Sequence, residues 1–252
     1  AGLKLPQYVY CLLKNVFDRA YSRADQLIAL GRDMKQVLES KVARFNRRPK
    51  VIVIENWAEL DIVSPVDLDL HRDEIVIEYA GNIGRLQGLQ TVIDDINKAD
   101  NKLLSFHLWG TGAEENRLKE FVASHDMKNV VFHGSYLRSK QSEVINSCDI
   151  ALVTLSDGMF GLGVPSKTYN IMAAGKAILF IGEPDSEIGL LIKENSIGYV
   201  FNPKDHKGVI KFLSEMTPDK RIHLVEMGRR ARKVAETDYA KEVILNKFVD
   251  AI

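Results

Sequence analysis

The chain has 252 residues and 28.4 kDa, with 46% hydrophobic and 27% charged residues, a soluble globular composition with room for one large domain or one and a half ordinary ones. Its 34 Lys and Arg balance 34 Asp and Glu, which argues against a dedicated nucleic-acid binder, and no apolar run reaches the roughly 18 residues of a membrane span. Two cysteines, Cys11 and Cys148, make no CxxC pattern and no disulfide framework, and no secretory signal is read at the start, so a reducing, cytoplasmic setting is expected.

Residues 1–48 carry helical patterns near 6–23 and 32–44, with no strong strand before VIVIEN at 51–56. This piece is too short to own a core and reads as the tail of another domain. Residues 1–50 hold eleven Lys or Arg against four Asp or Glu, a surplus of seven. Such a segment is a solvated helical face or faces an acidic partner, a phosphate or a membrane surface. Residues 57–72, with Pro and Asp, read as a linker.

From Ile75 the text alternates. IVIEYAG (75–81), LLSFHLWG (103–110), VVFHG (130–134), IALVTL (150–155), AILFIG (177–182) and the weaker YVFN (199–202) are strand-like. Amphipathic stretches of helical length lie at 86–99, 113–125, 139–147, 165–174 and 186–195, and 219–250 is helical and charged. Strands alternating with helices imply βαβ units and a parallel sheet. Near-continuous apolar strands imply that both faces are covered. The expected fold class is α/β, a Rossmann-like parallel sheet flanked by helices, plus a short, mostly helical N-terminal remnant. Sites in such sheets lie beyond the carboxyl ends of the strands, which selects the loops 81–88, 110–113, 134–138, 156–166 and 182–187.

The first loop reads Gly81-Asn82-Ile83-Gly84-Arg85-Leu86-Gln87-Gly88. Glycines let the backbone approach a phosphate, and the following helix N-terminus attracts the anion. Arg85 adds a guanidinium suited to phosphate. The spacing is not G-x-G-x-x-G. The next strand ends in Gly110-Thr111-Gly112, so the acid that would hold an NAD-type ribose is missing. A tight turn without a ligand is the alternative. The second feature, SDGMFGLGVPSKTYNIMAAGKAILF (156–180), passes Gly158, Gly161 and Gly163 into a helix with Pro165 near its first turn and Gly175 past its end. Lys167 falls in the first turn, where the dipole disfavours a cation. It is explained by an anion in the site or by a solvent-facing position.

NVVFHGSYLRSKQSEVINSCDIALVTL (129–155) followed by VPSKTYNIMAAGKAIL (164–179) resembles the C-terminal half of family 4 (group 1) glycosyltransferases. GNIGRLQGL (81–89), LWGTGAEENRLKEF (108–121) and YVFNPKDHKGVIKFL (199–213) fit in order and spacing, closest to the bacterial exopolysaccharide and lipopolysaccharide branch with its VPSK segment. RADQLIALGRDMKQVL and VIVIENWAELD resemble the end of the family's N-terminal domain and its hinge. The resemblance implies the two-domain GT-B fold. Residues 1–62 would be the tail of the acceptor domain and hinge, and 63–252 the nucleotide-sugar-binding domain. It implies sugar transfer with retention and without a metal. The histidines at 71, 107, 125, 133, 206 and 223 show no metal-ligand spacing, and His107 and His133 are read as filling space at strand ends.

The sequence departs from the family pattern. The family's paired glutamates would fall at Leu162 and Asn170, and its first-loop Arg and Lys near Asn82 and Gln87. The second glutamate holds ribose hydroxyls in the family, and Asn170 can still accept and donate hydrogen bonds. Leu162 offers its backbone alone. Most of the acceptor domain is absent, so the chain reads as a truncated transferase, expected to be inactive by itself.

The resemblance places the donor among Gly81, Asn82, Gly84, Arg85, Gln87, Gly110, Gly112, Tyr136, Leu137, Gly161, Leu162, Gly163, Val164, Ser166, Lys167 and Asn170. Arg85 and Lys167 would neutralise the diphosphate, and the amides of 81–84 and 161–166 would cradle it. Asn170 would hold the ribose, and the 134–137 loop would bracket the base. No catalytic residue and no cofactor beyond the donor substrate is assigned. The expected partners are a nucleotide sugar, a UDP-sugar on family grounds with a guanosine donor as the alternative, and a glycan or lipid-linked acceptor. Peripheral contact with the inner face of the membrane is also expected, through the basic N-terminal segment. Two other readings are a non-catalytic nucleotide-sugar or protein-binding module and a nucleotide-sugar epimerase. The epimerase would need flanking acid/base groups, for which the 156–166 loop offers Asp157.

Overall fold

The computed structural model describes residues 6–66 and 72–251. The first part runs through α1 (Gln7–Arg23), β1 (Gln26–Ala29), α2 (Arg32–Val42) and β2 (Lys50–Val53). β1 and β2 pair in parallel as a separate two-stranded sheet, Gln26 opposite Lys50 and Ala29 opposite Val53. Strand β1, four residues long, lies where no strong strand is expected before residue 51. Gln-Leu-Ile-Ala is too short to show a period, and its pairing with β2 is what defines it as a strand.

The segment expected as a linker divides. Residues 67–71, His71 included, lie outside the described residues. Residues 57–63 are packed: Ala58 and Val63 are buried, and the Ala58 amide donates to the Tyr239 carbonyl at 2.8 Å. The chain here folds back onto the C-terminal helices, which Pro and Asp content alone does not reveal.

The second part builds β3 (Ile75–Ala80), α3 (Leu89–Ala99), β4 (Leu104–Trp109), α4 (Glu115–Ser124), β5 (Val130–Gly134), α5 (Gln141–Asn146) and β6 (Ile150–Thr154). It continues with α6 (Lys167–Ala173), β7 (Ala177–Ile181), α7 (Glu187–Asn195), β8 (Gly198–Phe201), α8 (His206–Ser214), α9 (Arg221–Asp238) and α10 (Lys241–Ala251). All six strands are parallel, in the order β5-β4-β3-β6-β7-β8. The chain starts in the middle, winds outward one way, then returns and winds the other way. β3 and β6, neighbours at the reversal, share register only at Ile77 with Ile150 and Glu78 with Ala151. Beyond that they part, opening a crevice at their carboxyl ends.

Alternate residues of the strands feed two cores. Val76, Ala151, Val153, Ile178 and Phe180 face Tyr169, Met172, Ile188 and Ala231 on one side. Ile77, Leu108, Leu152 and Leu179 face Ile93, Leu118 and Leu213 on the other. At the amino ends of the strands, buried Arg221 donates from Nε to Asp149 at 2.7 Å, and its fork reaches the carbonyls of Arg72 and Glu74. Asp149 also accepts from the Val76 amide at 2.8 Å and from Arg72. The pair ties three segments at the end of the sheet opposite the crevice.

The two parts are joined by charged contacts. Arg32 bonds Glu187 through its amide, at 2.7 Å, and its side chain, and it also reaches Glu194 at 2.7 Å. Asp33, buried, accepts from the Gly161 amide at 2.9 Å. Among the described residues no helix is long and apolar enough to cross a membrane.

Candidate functional site

A groove of about 370 Å³ lies at the carboxyl ends of β3 and β6, with Trp57, Glu59, Gly81, Tyr136, Lys167 and Asn170 in its wall. A smaller pocket of about 30 Å³ shares Tyr136, Gln141 and Lys167 with it and has Glu78 in its wall. The topology accounts for the place. β3 delivers Gly81, the connection after β5 delivers Tyr136, and the first turn of α6 delivers Lys167 and Asn170 from across the reversal.

Lys167 is the cation of the groove. Its ammonium lies 3.7 Å from the centroid of the Tyr79 ring and has no hydrogen-bond partner among the described residues. Burial pushes its pKa down to about 7. The stem is part-exposed, but the nitrogen is shut against Gly81, where a Cβ would sit 2.6 Å from Nζ. Tyr79 is fixed in turn, its hydroxyl donating to the Asn82 carbonyl at 2.7 Å. A buried, unpaired ammonium is costly, and an anion entering the groove would relieve it. In the wall of the smaller pocket, burial pushes Glu78 up to about 7 although the Ser147 hydroxyl donates to it.

The first loop corrects the expected amide cradle. The Gly81 amide donates to the Trp109 carbonyl at 2.9 Å and Ile83 to Thr111 at 2.9 Å. The Gly84 amide donates to the Gln87 side chain at 3.1 Å. Three of the four amides expected to face a phosphate are therefore engaged within the protein, and Gln87 closes its own turn. Asn82 alone of the four keeps an amide without an acceptor among the described residues. Gly110 and Gly112 serve backbone packing: a Cβ on them would meet the Gly81 and Ile83 carbonyl oxygens at 1.9 and 2.2 Å. The two loops stack with no room for side chains between them.

Arg85 does not line the groove. Its side chain is 70% exposed and pairs with Glu114 at 3.1 Å. In the second loop, the Gly161 amide is held by Asp33, which removes it from the expected cradle. The amides of Gly163, Val164 and Ser166 keep no acceptor among the described residues. Leu162 and Leu137 extend into solvent. Asp157 pairs with Lys204 at 2.8 Å at the surface. Asn170 reaches the groove, but its Oδ1 accepts from the Glu59 amide at 3.0 Å.

Asn56, Trp57, Glu59, Ala80 and Gln141 are groove residues outside the expected set; the first three lie in the VIVIENWAELD string, read as the hinge. His107 is part-buried, but His133 is exposed rather than filling space at its strand end, and it stacks on Trp109 with centroids 4.1 Å apart. Burial lowers the pKa of both histidines. Among the described residues, no group of three or more His, Cys, Asp or Glu is placed to hold a metal.

Residues 74–219 match the family described as Glycosyl transferases group 1. The chain is 32% identical over 258 residues to the probable glycosyltransferase WbjE of Pseudomonas aeruginosa, covering 99% of this chain and 63% of that protein. It is 26% identical to the putative colanic acid biosynthesis glycosyl transferase WcaI of Escherichia coli K12, covering 95% of this chain and 60% of WcaI. It thus spans about three fifths of these relatives. Among solved structures, HepE of Anabaena, crystallised with UDP and glucose, superposes with a TM-score of 0.73 at 15% identity, covering 98% of this chain and 68% of that one. The six-stranded parallel sheet with its flanking helices matches one half of such proteins. The chain belongs to the group 1 glycosyltransferases and has the GT-B fold, in its C-terminal-like half.

Proposed function

We propose that this chain is the donor-binding part of a retaining, family 4-like glycosyltransferase. The complete enzyme would carry a sugar from a nucleotide sugar, a UDP-sugar, to a growing cell-surface glycan at the cytoplasmic face of the membrane. The observation that carries the reading is the unpaired, buried ammonium of Lys167, a residue in the wall of a groove of about 370 Å³ at the strand reversal. Negative charge grows on the leaving diphosphate as the glycosidic bond breaks, and a lysine that the bound diphosphate holds protonated stabilises that charge more than it stabilises the ground state. The amides of Gly163, Val164 and Ser166, without an acceptor among the described residues, immediately precede Lys167 in the chain. Arg85, freed from Glu114, is long and exposed enough to add a second charge, and Tyr136 is placed to pack on a base.

Holding donor and acceptor in attack geometry contributes roughly 7–11 kcal/mol to such a transfer. The relatives are longer than this chain, and the added part would supply the acceptor wall. The 252-residue chain is therefore expected to bind nucleotide and to transfer no sugar at a useful rate. The test is calorimetry with UDP and GDP beside a radiolabelled-sugar transfer assay, on this chain and on the longest natural form of the protein. Nucleotide binding by neither form would refute the donor reading, and robust transfer by the short chain would refute the two-domain account. The positive surplus in residues 1–50 and exposed Tyr8, Tyr10 and Phe17 on α1 support peripheral contact with an anionic membrane. Co-sedimentation with anionic vesicles should weaken as salt rises; salt-independent binding would contradict it.

A further inference from the structure

The groove has a second charged group, of opposite sign to Lys167. Among the described residues in its wall, Glu59 is the one carboxylate. Its side chain is 28% exposed, and neither oxygen has a hydrogen-bond partner among the described residues. Arg138 is the nearest cation, its Nη2 3.7 Å from Oε1, a loose ion pair longer than a hydrogen bond. The carboxylate keeps hydrogen-bond acceptor capacity for a ligand.

The backbone of Glu59 is held firmly. Its amide donates to Asn170 Oδ1 at 3.0 Å. Its carbonyl accepts from Ile62 at 3.1 Å and from Val63 at 2.9 Å. The neighbouring Ala58 amide is bonded to Tyr239, and Val63 is fully buried. A side chain launched from so fixed a point loses little further backbone freedom when it binds. Asn170 is thereby converted. Its acceptor oxygen serves the Glu59 backbone, and toward the groove it keeps a donor.

We propose that Glu59 is the group that takes the ribose 2′- and 3′-hydroxyls of the nucleotide, with Asn170 acting as a positioning residue for it. The inference rests on the nucleotide reading of the same groove. A vicinal diol offers two O–H donors, and an ionised carboxylate is acceptor-only with two oxygens to receive them. A carboxylate repels phosphate oxygens, and the groove's cation, Lys167, attracts them. The diphosphate therefore belongs beside Lys167 and the sugar hydroxyls beside Glu59. Asn170 is the weaker acceptor for a diol, being neutral and with one lone pair of its Oδ1 already taken by the Glu59 amide.

The test is a two-by-two calorimetric comparison on the longest natural form of the protein. It uses the nucleoside diphosphate that binds, UDP or GDP, and its 2′,3′-dideoxy analogue, against the unsubstituted protein and Glu59→Gln. Charge-assisted hydrogen bonds of this kind are worth about ten- to a hundredfold in affinity. The unsubstituted protein should prefer the ribonucleotide by that factor. Glu59→Gln should narrow the preference to within about threefold while binding the dideoxy analogue as the unsubstituted protein does. Glu59→Asp keeps the charge beside Arg138 but withdraws the carboxylate by one methylene, and it should lose part of the preference without loss of fold. Unchanged ribonucleotide affinity in Glu59→Gln, or an equal loss for both ligands, overturns the proposal. Failure of the unsubstituted protein to bind either nucleotide overturns instead the reading it rests on.

Discussion

Replacing Lys167 by Met should stabilise the free protein while weakening its hold on nucleotide diphosphate. The Lys167 pKa falls from 10.5 to about 7 on folding because its ammonium is buried. At about 1.4 kcal/mol per tenfold, that fall corresponds to roughly 5 kcal/mol of destabilisation when the group is charged in both states. The Tyr79 ring returns about 1–2 kcal/mol by a cation–π contact, leaving a penalty of about 3 kcal/mol. Below pH 7 the lysine is protonated in folded and unfolded chains alike, and the whole penalty stands. Between pH 7 and 10.5 the folded chain has released a proton that the unfolded chain still holds, so stability rises with pH across that window.

Methionine has a similar shape and no charge, so Lys167→Met should melt higher at pH 6, by roughly 6–12 °C at about 2–4 °C per kcal/mol for a chain of this size. The advantage should shrink to under about 1 kcal/mol by pH 10. Scanning calorimetry or thermal fluorescence at pH 6, 8 and 10 measures it. A variant that melts lower than the parent at pH 6, or keeps the same advantage at pH 10, refutes the account of Lys167 as an unpaired buried cation.

Other substitutions probe neighbouring parts. Arg85→Ala should weaken binding of a nucleoside diphosphate by about ten- to a hundredfold and leave the nucleoside little changed; equal losses in calorimetry would place Arg85 away from the phosphates. Glu78 has its pKa raised from 4.5 to about 7 by burial, so the parent chain loses stability as pH rises from 4.5 through 7. Glu78→Gln should melt higher than the parent at pH 8 and level with it near pH 4, and a constant difference would show that charge is not the cause. Arg221→Met leaves Asp149 buried with less compensation and should cost about 3–5 kcal/mol in urea denaturation; a cost under 1 kcal/mol would mean that water reaches Asp149.

The strands of the second part were legible because each is a β-branched or aromatic run between turn residues, and the order of the loops then located the crevice. Lys167 was legible as a misfit, a cation at a helix start. What escaped reading depends on contacts between distant parts of the chain. Gly161 has the look of a phosphate glycine, but its amide belongs to Asp33, 128 positions away. Arg85 has the charge for a phosphate, yet in the free protein Glu114 holds it. Asn170 stands where the family has a glutamate, and nothing local says that its oxygen serves the Glu59 backbone. Glu59 itself was hidden by the composition of its segment. Pro, Asp and Ser nearby suggest a loose connection, and packing against α6 and α9 makes it a wall.

The grip of Arg32 and Asp33 on the later part of the chain bears on how such enzymes recombine. Glu187, Glu194 and Gly161 receive their partners from residues before position 62. A hybrid spliced at that position, foreign sequence before it and this sequence after it, would bring a stranger's side chains to those sockets. The Gly161 amide, buried and built to meet a carboxylate, would be left without one, and the loop that carries Gly163 and Val164 would shift. On the donor-binding proposal, donor preference would pass intact to a hybrid only if the splice fell upstream of Gly31. The unit that inheritance can shuffle is therefore longer than the six-stranded sheet and includes the helix that follows β1.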